Sequence, residues 1–141
     1  MAPVEHIHYG VGMEHEITRH RRTGGSANPA IRITAKPKVD GHCHEYEFNM
    51  LPMRIGDGTM TPKVFACILF QDGIPAEVGI NGTTEEALIA ILIDRLERFN
   101  KGPYACRQNS LAITSLETAM HWLGDRTAER SEHGVEGTMA P

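Results

Sequence analysis

Residues 81–100, NGTTEEALIAILIDRLERFN, and residues 106–131, CRQNSLAITSLETAMHWLGDRTAERS, decide how this chain is read. In the first stretch Asn81-Gly82 turns the chain, and Thr83 with Glu86 has the spacing of a capping box. Ala87, Leu88, Ile91, Leu92 and Leu96 then mark one face of a helix. Gly102 and Pro103 break it. In the second stretch Ala112, Leu116, Ala119, Met120 and Leu123 form a single apolar stripe. The bend between the two is short, so the helices are expected to form an antiparallel hairpin.

The stripe of the second helix runs on into Arg126 and Arg130, so the packing face turns cationic in its last turns. An antiparallel hairpin brings that end toward the start of the first helix, where free N–H groups and a positive dipole end gather. Arginines beside such a terminus suit a phosphate. Arginines near a helix C-terminus are also favoured by the dipole alone, and spacing does not separate the two readings. About 26 residues at ~1.5 Å each make the second helix ~39 Å long, enough to cross a domain whose radius of gyration is ~14 Å. Trp122 and Leu111 lie about a quarter-turn off the stripe, a second apolar face for a partner helix or for the sheet.

Upstream, residues 31–80 read as strands. IRITA alternates, and HCHEYEFNM puts Cys43, Glu45, Glu47 and Asn49 on one side and His42, His44, Tyr46, Phe48 and Met50 on the other. KVFACILF reads as a central strand, and QDGIPAEVGI as a turn and short strand. The fold class is therefore α+β: an N-terminal antiparallel β-sheet followed by a C-terminal antiparallel two-helix hairpin. Residues 1–30 are expected to be loosely ordered, with one strand at most. Residues 31–141 are expected to form a single domain: sheet 31–80, hairpin 83–131 and a Gly-rich tail 132–141.

The chain of 141 residues carries a net charge of −4, which argues against a protein that coats DNA or RNA. The three cysteines, Cys43, Cys67 and Cys106, form no CxxC pair and read as free thiols of a reducing compartment. The start MAPVEHIHYG lacks the apolar run of a signal peptide, and ALIAILI is too short to span a bilayer. His42 and His44 share a strand face, but no third ligand stands at a diagnostic spacing and MEHEITRH is not HExxH, so no metal site is expected. Glu85-Glu86 is a helix start, Cys106 has no evident base, and RIGDGT lacks the lysine of a phosphate loop. No catalytic residue and no cofactor is expected, which favours a binding protein over an enzyme.

Residues 70–138 resemble the phage anti-Thoeris sponge family, whose helical hairpin is similar to that of phage anti-CBASS cyclic-nucleotide sponges. Three motifs carry the resemblance: GINGTTEEALIAILIDRLERF, the bend ACRQNSLAI, and the ending RTAER with GVEGT. It implies a non-enzymatic decoy that holds a nucleotide immune signal intact in the cytoplasm of the infected bacterial host. The signal would be the glycocyclic ADP-ribose made by TIR-domain enzymes, with cyclic di- and trinucleotides of CBASS as further ligands, and the protein a homodimer or homohexamer. The resemblance places the ligand contacts on Phe99, Asn109, Arg126 and Arg130, with Arg107, Gly134, Gly137 and Thr138 as further candidates. Phe99 would stack on the base, Asn109 would meet its edge, and the arginines would fork to the pyrophosphate. Asn109 and Arg126 stand ~25 Å apart along one helix, so a single site using all four needs two antiparallel protomers. Phe99 ending the core stripe and Asn109 capping the bend are the plainer alternatives, as is Gly134 as a helix C-cap. Similar proteins are more basic before GVEGT; Ser131, Glu132 and His133 stand here, and the acid at 132 weakens the local positive field. A phosphodiesterase that destroys the signal and a protein-interaction module built on Trp122 are the competing functions.

Overall fold

The computed structural model describes residues 12–25, 27–51, 54–60 and 65–134. The chain divides into two compact units, Met1–Leu69 and Phe70–Pro141. The expected boundaries had set residues 1–30 apart and joined 31–141.

The first unit is a four-stranded sheet of order β1-β2-β3-β4, with β1 His15–Ile17, β2 Ile31–Pro37, β3 Cys43–Met50 and β4 Phe65–Leu69. Every neighbouring pair is antiparallel. Two 3-10 turns, Arg19–Thr23 and Asn28–Ala30, join β1 to β2, so residues 1–30 do contain a strand. Register follows the alternation of the sequence: Glu16, Thr34, Glu47 and Cys67 lie across one face, and Ile17, Ile33, Phe48 and Ala66 across the other. Ion pairs lace the first face. Lys36 meets Glu47 at 2.5 Å, Arg32 meets Glu16 at 3.4 Å, and Arg21 also bonds to Glu16. Ala35, on the second face, is 1% exposed.

Two strand expectations are corrected. KVFACILF is not central; β4 ends the described sheet, pairs with β3 alone, and leaves Leu69 exposed. A continuous apolar run marks burial on both faces of a strand but cannot tell an edge from a centre. Within QDGIPAEVGI, Pro75–Val78 is a short helix α1 and not a strand. Pro75 has its ring at the first helical position, where no N–H is missed.

The second unit is the helical hairpin. Here α2 is Glu85–Asn100 and α3 is Arg107–Glu132, and the two pack on each other. The half-buried residues of α2 are Glu86, Leu88, Ile89, Ile93, Leu96 and Asn100, while Ala87, Ile91 and Leu92 are exposed. Leu88 and Leu96 of the expected stripe are thus turned inward and Ala87, Ile91 and Leu92 are not, because ALIAILI is apolar nearly all round and offers no single face by composition. On α3 the half-buried residues are Asn109, Ala112, Ile113, Leu116, Ala119, Met120, Leu123 and Arg130; they include the whole expected apolar stripe and Arg130, while Arg126 is exposed. Glu86, Ile89, Ile93, Leu96 and Asn100 on α2, and Asn109, Ala112, Leu116, Ala119 and Leu123 on α3, step alternately by three and four residues, the spacing of a two-helix seam.

A hydrogen-bonded loop sets the start of α2. Gln71 donates its N–H to the Thr83 carbonyl at 2.9 Å, and Phe70 bridges Thr83 in parallel. Asn81 accepts from the Asp72 N–H and donates to its carbonyl, at 2.8 and 2.7 Å. Thr83 is held extended by this bridge, so the helix cannot begin there. Thr84 is the N-cap, its Oγ1 accepting from the Ala87 N–H at 3.2 Å. The expected Thr83–Glu86 capping box is therefore replaced by a cap one residue later, which frees the Glu86 side chain for other contacts. Gly82 permits the close approach: a Cβ there would stand 2.5 Å from Gln71 N and Phe70 O. Gly82→Ala is expected to destabilise the protein by about 2 kcal/mol or more, read as a lowered urea midpoint.

Candidate functional site

The residues expected to contact a ligand fall at the two ends of the hairpin. Phe99 sits in the last turn of α2 and Asn109 and Arg107 in the first turn of α3. Arg126 and Arg130 occupy the last two turns of α3. One chain therefore brings Phe99 and Asn109 to one end and the two arginines to the other, and does not unite all four. Gly134 follows α3 with φ of +68° and donates its N–H to the Ser131 carbonyl at 3.0 Å, the C-cap arrangement. Gly137 and Thr138 lie outside the described residues.

At the bend, Asn100 fastens the two helices. Its Oδ1 accepts from the Cys106 N–H at 3.3 Å, and its Nδ2 donates to Ser110 Oγ at 3.0 Å. The residue that caps the second helix is thus Asn100, the last residue of α2. Asn109 also ties down the bend, as its plainer alternative had it: its Nδ2 donates to the Tyr104 carbonyl at 3.3 Å. The Tyr104 ring in turn stands edge-to-face with Phe99, centroids 6.1 Å apart and planes at 75°. Arg95 lies one turn before Phe99 and holds its guanidinium 5.0 Å from the centre of that ring. Arg98 is bonded to Asp94 at 2.8 Å, which raises the arginine's pKa, through that hydrogen bond first. Asp94, Arg95, Arg98, Phe99 and Tyr104, with Ile91, Gly102 and Pro103, line an open pocket of about 490 Å³, of a size that suits a small ligand; Asn109 is not part of its lining.

At the opposite end, Arg126 Nη2 lies 3.9 Å from Glu86 Oε1. The pair is partly exposed, so its contribution is only ~0–1 kcal/mol, and an incoming anion can displace it. Arg130 is half-buried on the same side of α3. Glu132 falls in the final turn, where an acid opposes the helix dipole.

Sequence reasoning missed Arg95, Tyr104, Glu86 and Asn100. Arg95 was legible as the residue four before Phe99, and Glu86 and Asn100 as the polar ends of the row that continues through Ile89, Ile93 and Leu96. Tyr104 carried no such signal, because it follows the helix breakers. Among the described residues, no three His, Cys, Asp or Glu side chains gather as a metal-binding group, and no helix is long and apolar enough to cross a membrane. The hairpin offers π surfaces and cations in an arrangement suited to an anionic aromatic ligand.

Residues 63–128 match the family model described as the Acb2/Tad1 hairpin domain. Over 73 residues the chain is 51% identical to Thoeris anti-defense 1 of Bacillus phage SBSphiJ7, covering 52% of this chain and 51% of that protein. The chain thus spans about half the length of the curated relative that it matches. Phe99, Arg107, Asn109 and Arg126 lie inside the family match, and Arg130 just beyond it.

Asn100→Ala removes both bonds that fasten the bend and is expected to cost about 1–2 kcal/mol. Asn100→Asp keeps the acceptor for the Cys106 N–H and should recover part of that loss in the same chemical denaturation series.

Proposed function

We propose, from the match of residues 63–128 to the Acb2/Tad1 hairpin model and from the 51% identity to an anti-Thoeris phage protein, that this protein is a phage anti-defence sponge of the anti-Thoeris kind. It binds a cyclic nucleotide immune signal and holds it without turnover, in the cytoplasm of the infected bacterial host. Its ligand is a glycocyclic ADP-ribose, and cyclic di- and trinucleotides are further ligands.

The observation that carries this reading is the placement of Phe99 and Asn109 at one end of the hairpin and Arg126 and Arg130 at the other. A base needs the first pair and a pyrophosphate the second. Two protomers packed antiparallel put one chain's bend beside the other's arginines and so complete the site. The apolar surface of the hairpin supports such packing. Ile91 and Trp122 are each 63% exposed, and Leu92 and Leu111 are exposed beside them. No described residue of this unit is fully buried, so a homodimer or homohexamer supplies the core that one chain lacks.

The energetics are adequate for a stoichiometric decoy. A ligand of roughly 35 heavy atoms at ~0.3 kcal/mol each reaches ~10 kcal/mol, a dissociation constant of tens of nanomolar.

The test is to mix the protein with glycocyclic ADP-ribose, measure the free ligand by mass spectrometry, then heat-denature and measure again. The expected result is ligand that disappears and returns intact. Arg126→Ala and Arg130→Ala should each weaken binding by about 10- to 100-fold. Ligand that returns cleaved would make the protein a phosphodiesterase. Ligand that never leaves solution, with partner capture lost in Trp122→Ala, would make it an interaction module.

A further inference from the structure

The sponge reading gives Phe99 the task of stacking on the base, yet the structure leaves much of that ring engaged. Arg95 stands over it at 5.0 Å, Tyr104 packs edge-to-face with it, and its exposure is 37%. The ring beside it is far more open. Tyr104 is 71% exposed at the rim of the same pocket. Its backbone is fixed by the turn of residues 101–104, in which Gly102 donates to the Phe99 carbonyl at 3.3 Å and Ala105 donates to the Gly102 carbonyl at 3.2 Å. Pro103 limits the freedom of the chain just before it.

Tyr104 also joins the two expected contacts at this end. Its ring touches Phe99, and its carbonyl accepts from Asn109. A tyrosine in this place is pre-ordered on its main chain and open on its side chain, which is how a large aromatic contact is presented at low entropic cost.

We infer that Tyr104 is a ligand-binding residue: its ring is the second aromatic wall of the bend pocket and takes the purine base of a nucleotide together with Phe99. The inference rests on the sponge reading and deepens it. The Arg95 guanidinium then keeps Phe99 in place from within the pocket wall, and the Tyr104 carbonyl holds Asn109 beside the bend. The pocket's two rings supply the stacking surface and its arginines favour an anionic ligand over a neutral aromatic one. Recognition of the base is then sequential along the bend, from α2 through the turn to α3.

The test uses the full chain labelled with 3-fluorotyrosine. Its three tyrosines, Tyr9, Tyr46 and Tyr104, give three fluorine resonances, and Tyr104→Phe assigns the one that matters. On titration with glycocyclic ADP-ribose the Tyr104 resonance should shift with the saturation curve while that of Tyr46, in the sheet, stays. In unlabelled protein Tyr104→Leu should weaken binding by about tenfold, and Tyr104→Phe should restore it to within about twofold. The fluorine readout is taken on the unsubstituted chain, so a folding defect in the leucine variant would not decide the matter. Wild-type binding with an unmoved Tyr104 resonance, or with Tyr104→Leu binding as tightly as wild type, overturns the inference and leaves the sponge intact. Failure of the wild type to bind overturns both.

Discussion

The seam between α2 and α3 is the constraint on which the hairpin depends. Along it, apolar residues recur at alternating steps of three and four, and polar residues occupy both ends. Asn100 and Ser110 close the seam at the bend, and Glu86 and Arg126 face each other at the open end. Polar pairs at fixed positions of an apolar seam penalise any slip in register, because a slip would bury one group without its partner. The same register aims Asn109 and the terminal arginines. Structural and ligand-facing positions are therefore one pattern, not two.

That pattern also explains why the hairpin has so little interior of its own. Two helices can cover only one side of each other, so the remaining apolar side chains face outward. Residues 87–93 of α2 are apolar all round, so Ile91 and Leu92 face outward as Ile89 and Ile93 face inward. For a binding protein this is useful. In the proposed sponge, the site between copies would exist only when the copies are together, and the exposed apolar surface would lie beside it.

The two ends of the hairpin differ in chemistry. At the bend, side chains are cross-linked: Arg95 to Phe99, Phe99 to Tyr104, Tyr104 to Asn109, and Asn100 to both helices. At the open end a 3.9 Å pair between half-exposed groups is the counterpart. A base is recognised by fixed planes and edges, which a cross-linked bend can hold. Phosphate recognition is dominated by charge, which tolerates arginines that swing.

The sequence by itself determined the α+β class, the alternation of β3, the extent of both helices and the stripe of α3 that leads into Arg126 and Arg130. Those are periodic patterns written by neighbouring residues, and the backbone reads them locally. It also carried, through three motifs, the resemblance to a sponge hairpin. Only the tertiary structure decided which face of α2 turns inward, because ALIAILI satisfies either. It placed β4 at the sheet's edge, since an apolar run does not say how many neighbours it has. It moved the N-cap from Thr83 to Thr84, because the bridge to Phe70 is a contact made at long range. And it brought Tyr104 to Phe99 and Glu86 to Arg126, residues whose partners lie across a turn or at the far end of another helix, where no local periodicity reaches.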